Sequence, residues 1–211
     1  MVGAVFLLAG LSSLGDAPDP HDAASAVAAY FVRNRSATFA SLSLVALASI
    51  AIVVFLAGLR ERMRMADAPV LATVAFAAGS GIIALLVLNE LLYATIAYTR
   101  GGVDAPTAKA LFTLTIVSTT VQGPLCATLL VTVSVATLRY AILPRWFAWL
   151  GLVGAVVVLP AAVSFGDSGF VYPDVQQQVV GQVFLLWLVV GGVLLLRRRW
   201  SEPTATGPAV P

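Results

Sequence analysis

Glu90 is the acidic residue whose surroundings most need an explanation. It stands beside Asn89 within Ile82–Tyr98, IIALLVLNELLYATIAY, a stretch apolar enough to enter a bilayer. An ionisable group at the centre of a membrane helix costs roughly 2.5–3.5 kcal/mol on insertion scales, so it marks a functional site by default. The remaining acidic residues fall in segments that can reach water. Tyr93 follows three residues after Glu90 and four after Asn89. On a helix that spacing brings its hydroxyl near either one.

A second pattern faces the first. Thr115, Ser118, Thr119, Gln122 and Cys126 recur at i, i+3, i+4, i+7 and i+11, a polar stripe along an otherwise apolar segment. Glu90 lies 14 residues before Asp104 and Ser118 lies 14 after it. In an antiparallel hairpin turning near Asp104 the two share one depth, with Gln122 about one turn deeper. Gln178 and Gln182, an i,i+4 pair, enter from the same side on the last helix.

The chemistry open to this set is the binding of a proton, a cation or a small ligand. The candidate binding residues are Glu90, Asn89, Tyr93, Ser118, Thr119, Gln122 and Gln182. No Lys, Arg or His lies at the depth of Glu90, and desolvation disfavours an uncompensated carboxylate, so Glu90 is expected to carry its proton at neutral pH. The competing reading is mechanical. Ser, Thr, Asn and Gln hydrogen-bond across membrane helices for about 0.6 kcal/mol each, so the stripe also reads as glue between helices. A carboxyl is a costly way to do that job. Cys126 reads as a packing residue.

Several enzyme classes are argued down. Ser–His and Cys–His catalysis need a histidine beside the nucleophile, and His21 stands in a polar segment among Asp16, Asp19 and Asp22. There is no HExxH motif for zinc and no intramembrane histidine for haem. Only one buried carboxylate is available, so a two-carboxylate hydrolase is excluded. Gly79-Ser80-Gly81 lies inside a span and reads as packing rather than as a phosphate loop. No catalytic residue, metal site or cofactor is implied. An intramembrane enzyme acting on lipid, with Glu90 as acid or base, lacks an evident nucleophile.

The elements that must position these residues follow from composition. The chain has 211 residues, 60% of them hydrophobic and 10% charged. A soluble chain carries about 25% charged residues, so this one belongs to the bilayer. The expected fold is all-α, a single transmembrane bundle of about six helices over residues 1–200. The spans fall at about 1–15, 37–59, 68–98, 107–138, 146–163 and 175–196. Met1–Gly15 is short for a span and also reads as a signal peptide, although it lacks a basic leading region. Residues 20–35 are expected to form an amphipathic helix lying at the outer surface, with Asp19 as N-cap and Pro20 at N1. Gly123-Pro124 should interrupt the fourth helix, and Trp146 and Trp149 mark an interface. Ser201–Pro211, rich in Pro and Thr, is expected to be a disordered tail.

Basic residues set the orientation. Arg60, Arg62, Arg64, Arg139, Arg145 and Arg197–Arg199 fall on one side; Arg33, Arg35, Arg100 and Lys109 fall on the other. The positive-inside rule then puts both termini in the cytoplasm. Eleven of the twelve basic residues are Arg, which with the Ala and Val content fits a GC-rich bacterial genome and the cytoplasmic membrane. The Arg residues sit beside apolar spans rather than on a soluble basic face, which argues against a nucleic-acid partner. The partners expected are the lipid bilayer, a small ligand or cation, and, on the structural-subunit reading, another membrane protein. Cys126 is the only cysteine, so no intramolecular disulfide can form.

Leu143-Pro144-Arg145-Trp146, continuing to Trp149-Leu150-Gly151, resembles a group of small actinobacterial multi-pass membrane proteins built on a domain of unknown function. Ala28-Ala29-Tyr30-Phe31 and the closing apolar helix with its Arg run fit the same pattern. The resemblance implies six helices and carries over no catalytic or binding residue.

Overall fold

The computed structural model describes residues 18–19, 21–99, 103–164 and 173–200. Every regular element among them is helical: α1 (Ala24–Arg33), α2 (Arg35–Met65), α3 (Pro69–Tyr98), α4 (Ala105–Tyr140), α5 (Arg145–Val158), a 3-10 turn continuing it (Leu159–Val163), and α6 (Pro173–Trp200). Five segments are long and apolar enough to cross a membrane: Arg35–Met65, Pro69–Tyr98, Ala105–Tyr140, Arg145–Val163 and Val175–Arg197. The chain is an all-helical bundle of membrane-spanning character. The first expected span, Met1–Gly15, and the tail, Ser201–Pro211, lie outside the described residues.

The helix ends follow local chemistry. Pro69 opens α3 at a position where its missing N–H costs nothing. Asp104 caps α4, its carboxylate accepting the Thr107 N–H at 3.3 Å. The Thr107 side chain and then its N–H hold this exposed carboxyl below the usual carboxylate range. α4 ends where Ala141 turns left-handed, with φ 52°, and its N–H caps the Thr137 carbonyl. α5 tightens into the 3-10 turn at Leu159-Pro160.

α4 runs unbroken through Gly123-Pro124. Gly123 matters through the side chain it lacks. A Cβ there would collide with Ala161 Cβ and stand 2.9 Å from the Val158 carbonyl, so only glycine lets the 3-10 turn lie on α4. α4 is the central element: it packs on α1, α3, α5, the 3-10 turn and α6, while α2 packs chiefly on α3.

The first helix corrects an expectation. The helix runs from Ala24, not from the residue after Asp19, because the Asp19 and Asp22 carboxylates are spent on a local turn, accepting the N–H of His21 at 2.7 Å and of Asp19 at 2.9 Å. α1 is the amphipathic surface helix expected, with Ser25, Ala26, Ala29, Val32 and Arg33 exposed on one face. Val27 and Phe31 are fully buried against the ends of α3 and α4. The Lys109 ammonium donates to the Asp22 carbonyl at 2.7 Å, tying α4 to the segment that leads into α1.

Two separate hydrophobic clusters result. The larger joins α2, α3, α4, α5 and α6, with Leu56, Met63, Ile82, Leu130, Phe147 and Trp187 among its members. The smaller gathers Val27, Tyr30 and Phe31 of α1 with Ile96, Ala97, Ala108, Phe112 and Ile116.

Candidate functional site

The gap between the clusters holds the site. On α3, Val87 packs on the larger cluster and Tyr93 on the smaller; Asn89 and Glu90 lie between. On α4, Ile116 belongs to the smaller and Leu125 packs on the larger; Ser118 and Gln122 lie between. On α2, Phe39 and Val45 flank Ser41 in the same way. Three adjacent helices therefore turn polar at one level, with apolar packing above and below.

One half of this layer is hydrogen-bonded. The Asn89 amide donates to Ser118 Oγ at 2.8 Å, and Asn89 Oδ1 lies 3.0 Å from the same hydroxyl. Ser118 has one proton to give, and the Thr115 carbonyl, at 2.6 Å, is the nearer acceptor. One turn closer to the α1 end, the Tyr93 hydroxyl and Thr115 Oγ1 are bonded at 2.9 Å. The Tyr93 ring stacks on Phe31 with centroids 5.3 Å apart and leans on Phe112 at 6.1 Å. α1 thus roofs the layer with aromatic rings. The hairpin of α3 and α4 with facing polar residues is as the residue count from Asp104 required, except that Asn89, not Glu90, meets Ser118.

The other half is unsatisfied. Glu90 is 3% exposed and points toward α2, where Ser41, fully buried, is its side-chain neighbour. The contact is a weak one: Glu90 Oε2 and Ser41 Oγ are both sealed from solvent and neither makes a hydrogen bond of regular geometry. No ion-pair partner of Glu90 stands among the described residues, and no group of three or more His, Cys, Asp or Glu converges there. A cation held here would rest on one carboxylate and neutral oxygens.

The small residues of α3 explain how the layer closes. Ala72, Ala75, Gly79, Glu90, Ala94 and Ala97 share a face as expected, and all are buried. Gly79 sits against the Leu56 side chain of α2, so α2 and α3 approach closely below Glu90.

The remaining expected site residues divide. Gln122 is buried within the layer. Thr119 lies on α4, but its side chain is outside the described residues. Gln182 does not join the layer. The inward face of α6 is Gln176, Val180, Phe184, Trp187 and Leu188, and position 182 falls opposite it, exposed. Cys126 is fully buried, a packing residue of the larger cluster. Ser41 was missing from the sequence reading. Serines on apolar helices usually bond to their own backbone, as Ser43 and Ser49 do here, and Ser41 gives no local hint that it differs.

A second unsatisfied pair lies deeper. Ser134 Oγ and Trp187 Nε1, both without a partner, face the same point above Gly151. Neither is ionisable in the accessible range, and the indole is already stacked on Phe147 at 5.4 Å. Comparison with protein-family models, with curated proteins and with solved structures gives no match.

Proposed function

We propose that this chain is a non-enzymatic multi-pass protein of a bacterial cytoplasmic membrane that binds a proton or small cation at Glu90. Its Arg-rich end and both termini face the cytoplasm on this reading. The observation that carries it is the Glu90 carboxyl, sealed between α2 and α3 with the Ser41 hydroxyl as its side-chain neighbour and with Oε2 outside any regular hydrogen bond. A bare carboxylate in that place is uncompensated, so the resting site holds either a proton or a cation. Asn89, Ser118, Tyr93 and Thr115 set the spacing of the walls and are already paired. Gln122 and the Ser41 hydroxyl are the groups left to reorganise when the occupant changes. Whether the occupant crosses the membrane or is only sensed is decided by access to Glu90 from its two ends.

A second reading, a structural or accessory subunit that joins another membrane protein, draws on the Asn89–Ser118 and Tyr93–Thr115 bonds, which do the work of helix glue. It does not account for Glu90.

Infrared difference spectroscopy of the purified protein, wild type against Glu90→Gln, tests the proposal. The expected result is a protonated-acid band at neutral pH, absent from Glu90→Gln, that gives way to a carboxylate band when a bound cation replaces the proton. A carboxylate band that ignores both pH and cations contradicts the binding role.

A further inference from the structure

The Arg-rich end carries a groove of about 490 Å³ between the last turns of α2 and α4. Its walls are Gly58, Glu61, Arg62, Met65, Tyr140 and Ala141, with Ala66 and Ile142 behind them. It is independent of the Glu90 layer, which lies toward the opposite end of α2.

Three observations point to an occupant. The first is Gly58. Glycine inside a helix costs about 1 kcal/mol relative to alanine, a cost usually explained by a neighbour that needs the space. Gly79 and Gly123 have such neighbours, but among the described residues nothing comes within 4 Å of a Cβ at Gly58 or at Gly181, and of these two only Gly58 lines the groove. The space it leaves is the groove itself. The second is charge. Glu61 and Arg62 stand side by side on one wall, and neither has an ion-pair partner among the described residues. A purely anionic ligand would meet Arg62 but also Glu61 and the negative ends of two helices, α2 and α4. A ligand with one anionic and one cationic group satisfies both side chains, with the Tyr140 hydroxyl a further donor to the anion. The third is the path leading in. Leu47, Ile50, Val54, Gly58, Glu61 and Met65 advance by three or four residues at a time, forming one stripe along α2. Leu47, Ile50, Val54 and Met65 on it are all exposed, Val54 by 67% and Met65 by 72%. The stripe runs from exposed apolar residues into the groove at Gly58, where the charges begin.

We propose that the groove holds the headgroup of a zwitterionic aminophospholipid, its phosphate on Arg62 and its ammonium on Glu61, with one acyl chain laid along the α2 stripe. The apolar track selects a lipid over a soluble zwitterion, because the headgroup contacts and the chain contacts are continuous.

The test is native mass spectrometry of the full chain, purified in detergent and incubated with equal amounts of phosphatidylethanolamine and phosphatidylglycerol. Wild type is expected to retain the ethanolamine lipid about fivefold better, the scale of one added exposed ion pair. Glu61→Gln should remove that preference while leaving retention of phosphatidylglycerol. Arg62→Gln should weaken both lipids. Gly58→Leu should block both with circular dichroism retained and the thermal midpoint no lower than that of wild type, since the new side chain enters open space and leucine favours helix over glycine. Equal retention by wild type and all three variants overturns the site. Displacement of the lipid by soluble phosphoethanolamine at matched concentration overturns the lipid assignment.

Discussion

Asn89 and Glu90 are neighbours on one helix, at one depth, equally desolvated, yet they belong to different seams. A step of 100° on α3 turns Asn89 to α4 and Glu90 to α2. At the α3–α4 seam the polar groups are closed: Asn89 meets Ser118, and Tyr93 meets Thr115. At the α2–α3 seam Glu90 Oε2 and Ser41 Oγ are both left open. The contrast shows that polarity inside a bundle does not by itself mark a site. A satisfied pair holds helices together, while an unsatisfied ionisable group stores a cost that an occupant can relieve.

Replacing each residue by leucine should therefore move stability in opposite directions. The larger effect is expected at the open seam. Glu90→Leu removes a buried oxygen without a partner and should raise stability by about 1–3 kcal/mol, while abolishing any proton- or cation-linked response. Thermal unfolding in detergent measures it, and a fall in midpoint would mean that Glu90 is bonded after all. At the closed seam Asn89→Leu should lower stability by about 0.6–1.7 kcal/mol, the measured range for hydrogen bonds between membrane helices. Adding Ser118→Ala to it should cost little more, since the shared bond is already gone; an additive loss in the double variant would break the pairing.

The smallest effect lies outside the bilayer, at the α4 cap, and serves as a control for both seams. Hydrogen bonds from Thr107 hold the Asp104 carboxyl below its ordinary value of 3.8. Such a group stabilises the fold above that value and loses its contribution as pH falls through the lower folded-state value. Asp104→Asn keeps an N-cap without the charge, so its unfolding midpoint should change less than that of wild type between pH 5 and pH 2. Identical pH profiles would show that the cap charge does not matter.

Much of this was legible in the residues because depth can be counted. Apolar run lengths located five helices among the described residues, and equal counts on either side of Asp104 put positions 89–90 and 118 at one level. Direction around each helix was not legible to the same degree. Which of Asn89 and Glu90 meets α4 depends on where α2 packs, and a hydropathy pattern does not order helices in space. Ser41 stayed hidden for that reason, since its importance comes from a neighbour 49 positions away on another helix. Gln182 failed for the same reason: an i,i+4 glutamine pair shows a face but not which way the face looks, and Gln176 is the glutamine that α6 buries.

The aromatic roof over the layer has a kinetic consequence. Phe31, Tyr93 and Phe112 form one ring cluster, and Phe31 reaches it from a ten-residue helix pinned through Lys109. If Glu90 binds a proton or cation as proposed, an occupant arriving from the α1 end must first part these rings. Their cost is paid on entry and returned on closing, so it leaves equilibrium occupancy of Glu90 unchanged and sets how long each occupant stays. Two chains differing only at position 31 would then share an affinity and differ in residence time.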